Sequence, residues 1–208
     1  MLARELLAGG AQVVWLPVVA ERAEAPSAPP GIHSFAGSLL RRVPLHRVEA
    51  GTLDLPLEAA LTRELRARPA DAVVQVGVGA RGSPNLLWIA ERMGIAPFAV
   101  VRGSEVVCQR GDLVDRSGVR CAEFRDAARC AGCCSASWWR RARGADIQNR
   151  LELLVAGLQV ARRVLVGDEA EANWLEQVGV PRRVLQVTSE PVRVLVEVLR
   201  VAAAVPPR

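Results

Sequence analysis

All five cysteines of the chain fall in one stretch, as Cys108-x12-Cys121-x8-Cys130-x2-Cys133-Cys134. Four thiolates that include one CxxC pair can close a tetrahedral zinc site. Cys108, Cys121, Cys130 and Cys133 are the candidate metal ligands, with structural zinc as the cofactor; Cys134 adjoins Cys133, which leaves one of the two spare. The alternative is reduced thiols packed in a long loop, because the longer spacings are unlike those of ribbons with two CxxC pairs. An odd number of cysteines in a reducing compartment fits either reading better than a disulfide framework.

A second group of residues sits at two strand ends. The run 71–77 reads as a strand entering a glycine-rich turn with Gly77, Gly79 and Gly82, and Ser83-Pro84 after it caps a helix carrying Leu86, Leu87, Ala90 and Met93. The run 94–101 repeats the pattern as a helix stop and a buried strand, and Arg102-Gly103-Ser104-Glu105 then opens the cysteine stretch. In a parallel sheet both segments lie at the carboxyl ends of strands, where α/β folds bind ligands. A GxG turn alone also serves as a tight connection. Arg102 can bind an anion, but its guanidinium stays protonated and cannot act as a general base.

The elements that must position these residues alternate. Residues 2–8 read as the end of a helix and 12–19 as a buried strand; 20–42, rich in proline and containing His33, reads as a loop, and 43–48, with His46, as a strand. Leu57, Leu61 and Leu65 mark one face of a helix, with Glu58, Arg63, Glu64 and Arg66 on the other. Past the cysteines, Ile147, Leu151, Leu154, Val155 and Leu158 mark a long helix and 162–167 a strand. Asp168 and Glu171 form a capping box for the next helix, 183–188 is a further strand, and a last helix turns Val192, Leu195, Val196 and Leu199 inward. This is an α/β chain with an open parallel, Rossmann-like sheet and helices on both faces. Its first domain spans 1–188 and lacks a first strand; 108–134 is an insertion, and 189–208 is a terminal helix or the start of a linker.

Composition narrows the function classes. No apolar run approaches the ~20 residues of a membrane helix, and the amino terminus lacks the features of a secretory signal, so a cytoplasmic location is expected. The net charge of +5 comes from arginines spread along a chain that has no lysine, which argues against a nucleic-acid partner. Arg140, Arg141 and Arg143 beside Trp138 and Trp139 are the exception; they make a solvated face or a pocket for phosphate or anionic headgroups, the latter allowing peripheral membrane contact.

The order of pieces resembles the amino-terminal lobe of GT-B glycosyltransferases of family four, retaining enzymes that use nucleotide sugars. The resemblance runs through residues 2–14, through 65–76 ending Arg-Pro-Ala-Asp-Ala-Val-Val-Gln-Val, and through Ser83-Pro84 to Pro97. Its most specific part is the segment from Cys108 to Cys121 with Cys130-x2-Cys133, which looks like the cysteine-bearing insertion of one branch of that family. Residues 161–167 and 174–187 resemble the approach to an interdomain linker.

The resemblance implies an acceptor-binding lobe whose cleft is edged by Gly77, Gly79, Arg102, Ser104 and Glu105, and a glycan or lipid-linked acceptor. The nucleotide sugar would be held by a separate carboxyl-terminal lobe, with its basic pair and Glu-x7-Glu motif. These residues are expected to lack that lobe, and also the first strand with its glycine turn. The family's His-Asp-Tyr-like segment falls on Arg102-Gly103-Ser104, and its His-x-His-like segment on Gln75-Val76-Gly77, so no catalytic residue is assigned. Retaining transfer depends on preorganised charge around the leaving phosphate, so the lobe is expected to be inactive alone. The competing expectation is a non-enzymatic, zinc-stabilised interaction module that docks a protein through Trp138 and Trp139.

Overall fold

Strand and helix positions follow from two periodicities. Along β4 (Ala96–Val100) and the residue after it, Ala99 and Val101 face one side of the sheet and Phe98 the other; along β5 (Arg163–Val166), Val164 and Val166 face the first side and Leu165 the second. Both faces are apolar, as strands covered by helices on both sides must be.

In the computed structural model, the residues described are 14–15, 33–34, 55–68, 70–78, 83, 85–134 and 144–204. The main sheet is parallel throughout, in the order β3 (Ala72–Val76), β4, β5 and β6 (Leu185–Val187). Strands β3 and β4 pair from Ala72↔Ala96 to Val76↔Val100. Because every pairing is parallel, all carboxyl ends line one edge. A separate parallel pair joins β1 (Val14–Trp15) to β2 (His33–Ser34). His33 is thus part of a strand pair rather than of a loop. The predicted helix 2–8, the strand 43–48 with His46, and most of the loop 20–42 lie outside the described residues.

Pro97 sits inside β4, a strand paired on both sides. Its carbonyl accepts from the Arg162 amide at 2.8 Å, on the β5 side, so its nitrogen faces the same side, one residue before β5 begins. A missing N–H costs little where no ladder partner has yet started.

On the first face, α2 (Leu86–Arg92), α5 (Gly144–Val160) and α6 (Glu169–Gln177) pack a continuous core that includes Leu87, Leu154, Leu158 and Leu175. The second face carries Phe98 and Leu165, covered by Leu195 of α7 (Pro191–Ala204) with Val194 and Val198 beside it. Leu195 thus faces inward as predicted, with Val194 and Val198 packed beside it, while the side chains of the predicted Val192 and Leu199 lie outside those described. No helix among the described residues is long and apolar enough to cross a membrane.

Helix α1 (Leu55–Ala67) buries Leu57 and Leu61 as its spacing predicts. Glu64, expected on the wet face, is buried and pairs with Arg68 at 3.3 Å. Glu58 is also inward-acting: its carboxylate accepts from the Ser83 hydroxyl and, at 3.5 Å, from Asn85 Nδ2. The cap position is Asn85 rather than Ser83, whose Oγ accepts from the Asn85 amide at 3.4 Å. Helix α2 starts one residue after Asn85, whose side chain makes no capping bond. The Asp168 cap of α6 is as the sequence predicts, accepting from the Glu171 amide at 2.8 Å, while the Glu171 carboxylate reaches back to the Gly167 amide at 3.0 Å.

The cysteine stretch is more ordered than a long loop. It begins with α3 (Gly103–Val107), passes through a turn closed by the Val114–Arg120 bridge, and ends in α4 (Ala127–Cys134). Asp115 organises that turn, its Oδ1 accepting from the Ser117 and Val119 amides at 2.9 and 3.0 Å and from the Ser117 hydroxyl. Those bonds, the Ser117 hydroxyl foremost, hold its carboxyl below the usual carboxylate range.

Candidate functional site at the carboxyl edge of the sheet

Strand β3 ends at Val76, and the Gly77 amide extends its ladder by donating to the Val100 carbonyl at 2.8 Å. Gly77 then turns the chain at φ +72°, a left-handed conformation that glycine adopts without steric cost. Val78 follows, buried in the first-face core and gripped at both of its backbone polar groups. Its amide donates to Glu105 Oε2 at 3.4 Å, and its carbonyl accepts from Arg150 Nη2 at 2.9 Å.

Strand β4 ends beside β3, and Arg102, exposed and extended at φ −88°, ψ 130°, leads into α3. Glu105 on α3 reaches across to the β3 turn. A Cβ on Gly77 would lie 3.4 Å from its Oε2, and one on Gly111 3.8 Å from its Cγ, so two glycines flank the carboxylate. Helix α3 is pinned from behind, because Gly103 approaches α6 so closely that a Cβ there would meet the Glu171 carbonyl oxygen at 2.8 Å.

The two segments singled out in the sequence thus meet. Glu105 bonds the amide that follows Gly77, Arg102 and Ser104 lie on the same segment as Glu105, and Gly79 lies outside the described residues. A carboxylate fixed at a strand end, with an exposed guanidinium on the neighbouring strand, can accept hydrogen bonds from hydroxyls and attract an anion.

Arg150 is the site residue that sequence reasoning missed. It lies on the apolar face of α5, three residues after Ile147 and four before Leu154, and it is the largest fully buried side chain described, 1% exposed. Helical spacing gave the signal: an arginine in register with five apolar residues has no solvent to reach. Burial lowers its pKa to about 10, partly opposed by Cys108. Because that value lies below the ordinary one, the unfolded chain holds this proton more tightly. The buried charge therefore opposes folding below about pH 10, and the opposition is relieved as pH rises through that value.

The four candidate zinc ligands are half-buried thiols that form no disulfide. Cys108 ends α3, Cys121 follows the Asp115 turn, and Cys130 and Cys133 lie on α4. Cys130 Sγ points at the Phe124 carbonyl at 3.9 Å. Among the described residues no three Cys, His, Asp or Glu side chains are gathered as a metal site, so as arranged these thiols do not fit a bound ion. Trp138, Trp139, Arg140, Arg141 and Arg143 lie outside the described residues. A cavity of about 380 Å³ lies elsewhere, between α5 and the end of α6, lined by Arg125, Gln148, Glu152, Gln159 and Gln177 among others.

No protein-family model, curated protein or solved structure matches the chain.

Proposed function

We propose that the chain is the acceptor-binding lobe of a GT-B, family-four-like glycosyltransferase, a retaining enzyme that uses a nucleotide sugar held by a separate donor lobe. The observation that carries this reading is the Glu105 carboxylate, fixed by the Val78 amide over Gly77 where two adjacent parallel strands end. It is supported by the place, since open α/β sheets take ligands at their carboxyl edge, and by the chemistry, since a fixed carboxylate suits the hydroxyls of a glycan or lipid-linked acceptor. The lobe's own work is to bind and orient an acceptor. Charge to neutralise a leaving nucleotide comes from the donor side.

The test is oligosaccharide binding to the 208-residue chain, with Glu105→Leu as the variant. Loss of a charge-assisted hydrogen bond is expected to weaken binding by about ten- to hundredfold, and the chain alone is expected to transfer no sugar from a nucleotide donor. Binding unaffected by Glu105→Leu, or transfer by the chain alone, contradicts the proposal.

Structural zinc on Cys108, Cys121, Cys130 and Cys133 belongs to the same proposal and requires the stretch between α3 and α4 to draw its thiols together. Elemental analysis after gentle purification decides it. About one zinc per chain supports the site, and a small fraction of that removes it.

A further inference from the structure

Arg150 is in the wrong place for a residue that only stabilises. Its neighbours along the α5 face are Ile147, Leu151 and Leu154, and an apolar side chain would complete the core there. Instead a guanidinium is buried with Nη2 donating to the Val78 carbonyl, while Nη1, also buried, has no hydrogen-bond partner among the described residues. No carboxylate pairs with it among those residues. A buried cation without a paired anion is costly, and such a cost is commonly retained where the charge has a ligand to meet.

We infer that Arg150 anchors an anion site under the Gly77–Val78 turn, built to take the phosphoryl group of a phosphorylated ligand. The guanidinium is a planar fork suited to an oxyanion, and Nη1 is the donor still to be used. Gly77, beside the gripped residue, is half-buried and carries no side chain to bar the approach, and exposed Arg102 ends the neighbouring strand. A phosphoryl group offers more acceptor oxygens than a carboxylate, and the exposed charge of Arg102 adds to the attraction of an anion at this edge. Glu105 carries the opposite charge at the same edge, committed through Oε2 to the Val78 amide, and it repels an anion while accepting hydroxyls. A phosphorylated sugar answers both, with its phosphoryl group toward Arg150 and its hydroxyls toward Glu105. The inference rests on the acceptor-lobe reading only for the molecule that carries the phosphoryl group.

The experiment is calorimetric titration and thermal unfolding of the 208-residue chain with inorganic phosphate, a hexose 6-phosphate, the parent hexose, and chloride at matched ionic strength. Both phosphates are expected to bind and raise the melting temperature, and chloride is not. Arg150→Gln, which keeps a donor for the Val78 carbonyl, is expected to weaken phosphate binding by about ten- to hundredfold. Arg150→Met is expected to melt, without ligand, at or above the temperature of the native sequence, because it removes the burial penalty, and to lose the response to phosphate. Hexose phosphate binding no tighter than phosphate would leave the anion site standing and count against the sugar acceptor. Absence of a phosphate response in the native sequence, or an undiminished response in Arg150→Gln, overturns the inference.

Discussion

Phe98→Ala is expected to lower the unfolding free energy by about 3–5 kcal/mol, the range for deleting a buried aromatic side chain from a core. Phe98 is 2% exposed and is the centre of the second-face cluster, where it meets Leu165 of β5 and Leu195 of α7. That cluster is small, with three fully buried members among the described residues, so Phe98 is a large share of it. Urea unfolding checks the loss through the midpoint, with the denaturant slope unchanged if the native state keeps its compactness. A loss under about 1 kcal/mol would mean that α7 does not close the second face as described.

Gly103→Ala is expected to cost about 1–3 kcal/mol, and Gly103→Val more. The added Cβ would meet the carbonyl oxygen of Glu171 at 2.8 Å and its Cα at 2.9 Å. Both are backbone atoms of α6, held in place by the Asp168 cap and by the burial of Ala172 and Leu175. Neither can swing aside, so α3 must move, and Arg102 and Glu105 move with it. The substitution should therefore lower both stability and ligand binding at the sheet edge, whereas Phe98→Ala, on the far face, should lower stability and spare binding in the folded fraction. Equal binding by Gly103→Ala and the native sequence would show that α3 need not be seated on α6 for the site to form.

The elements that could be read from the sequence are those whose neighbours in space are also set by period. Ala99, Val101, Val164 and Val166 alternate with Phe98 and Leu165, and Leu57, Leu61, Leu154 and Leu158 recur at helical spacing. The Asp168–Glu171 cap is local and was equally legible. What escaped depends on partners far along the chain. Ser83 looks like a cap, but the helix starts three residues further on, and the Ser83 hydroxyl donates to Glu58, 25 residues earlier. Helix α3 has only five residues, too few for a period to show, and α4 was hidden by cysteines that suggest a metal loop.

The site divides in the same way. Gly77 and the 102–105 segment were placed at one edge by the parallel-sheet rule alone, and the structure brings Glu105 onto the Gly77–Val78 turn. Arg150 comes from 72 residues beyond Val78 and from the middle of a helix. Its register with Ile147 and Leu154, rather than its charge, decides its burial.

The central claim, that the carboxyl edge of β3 and β4 receives an acceptor, is tested most directly by a residue-resolved amide NMR titration of the 208-residue chain with oligosaccharides. Saturable shifts are expected at Gly77, Val78, Ser104 and Glu105, absent from Glu105→Leu. Shifts confined to the groove of Arg125, Gln148 and Gln177, or no shift at the sheet edge, would contradict it.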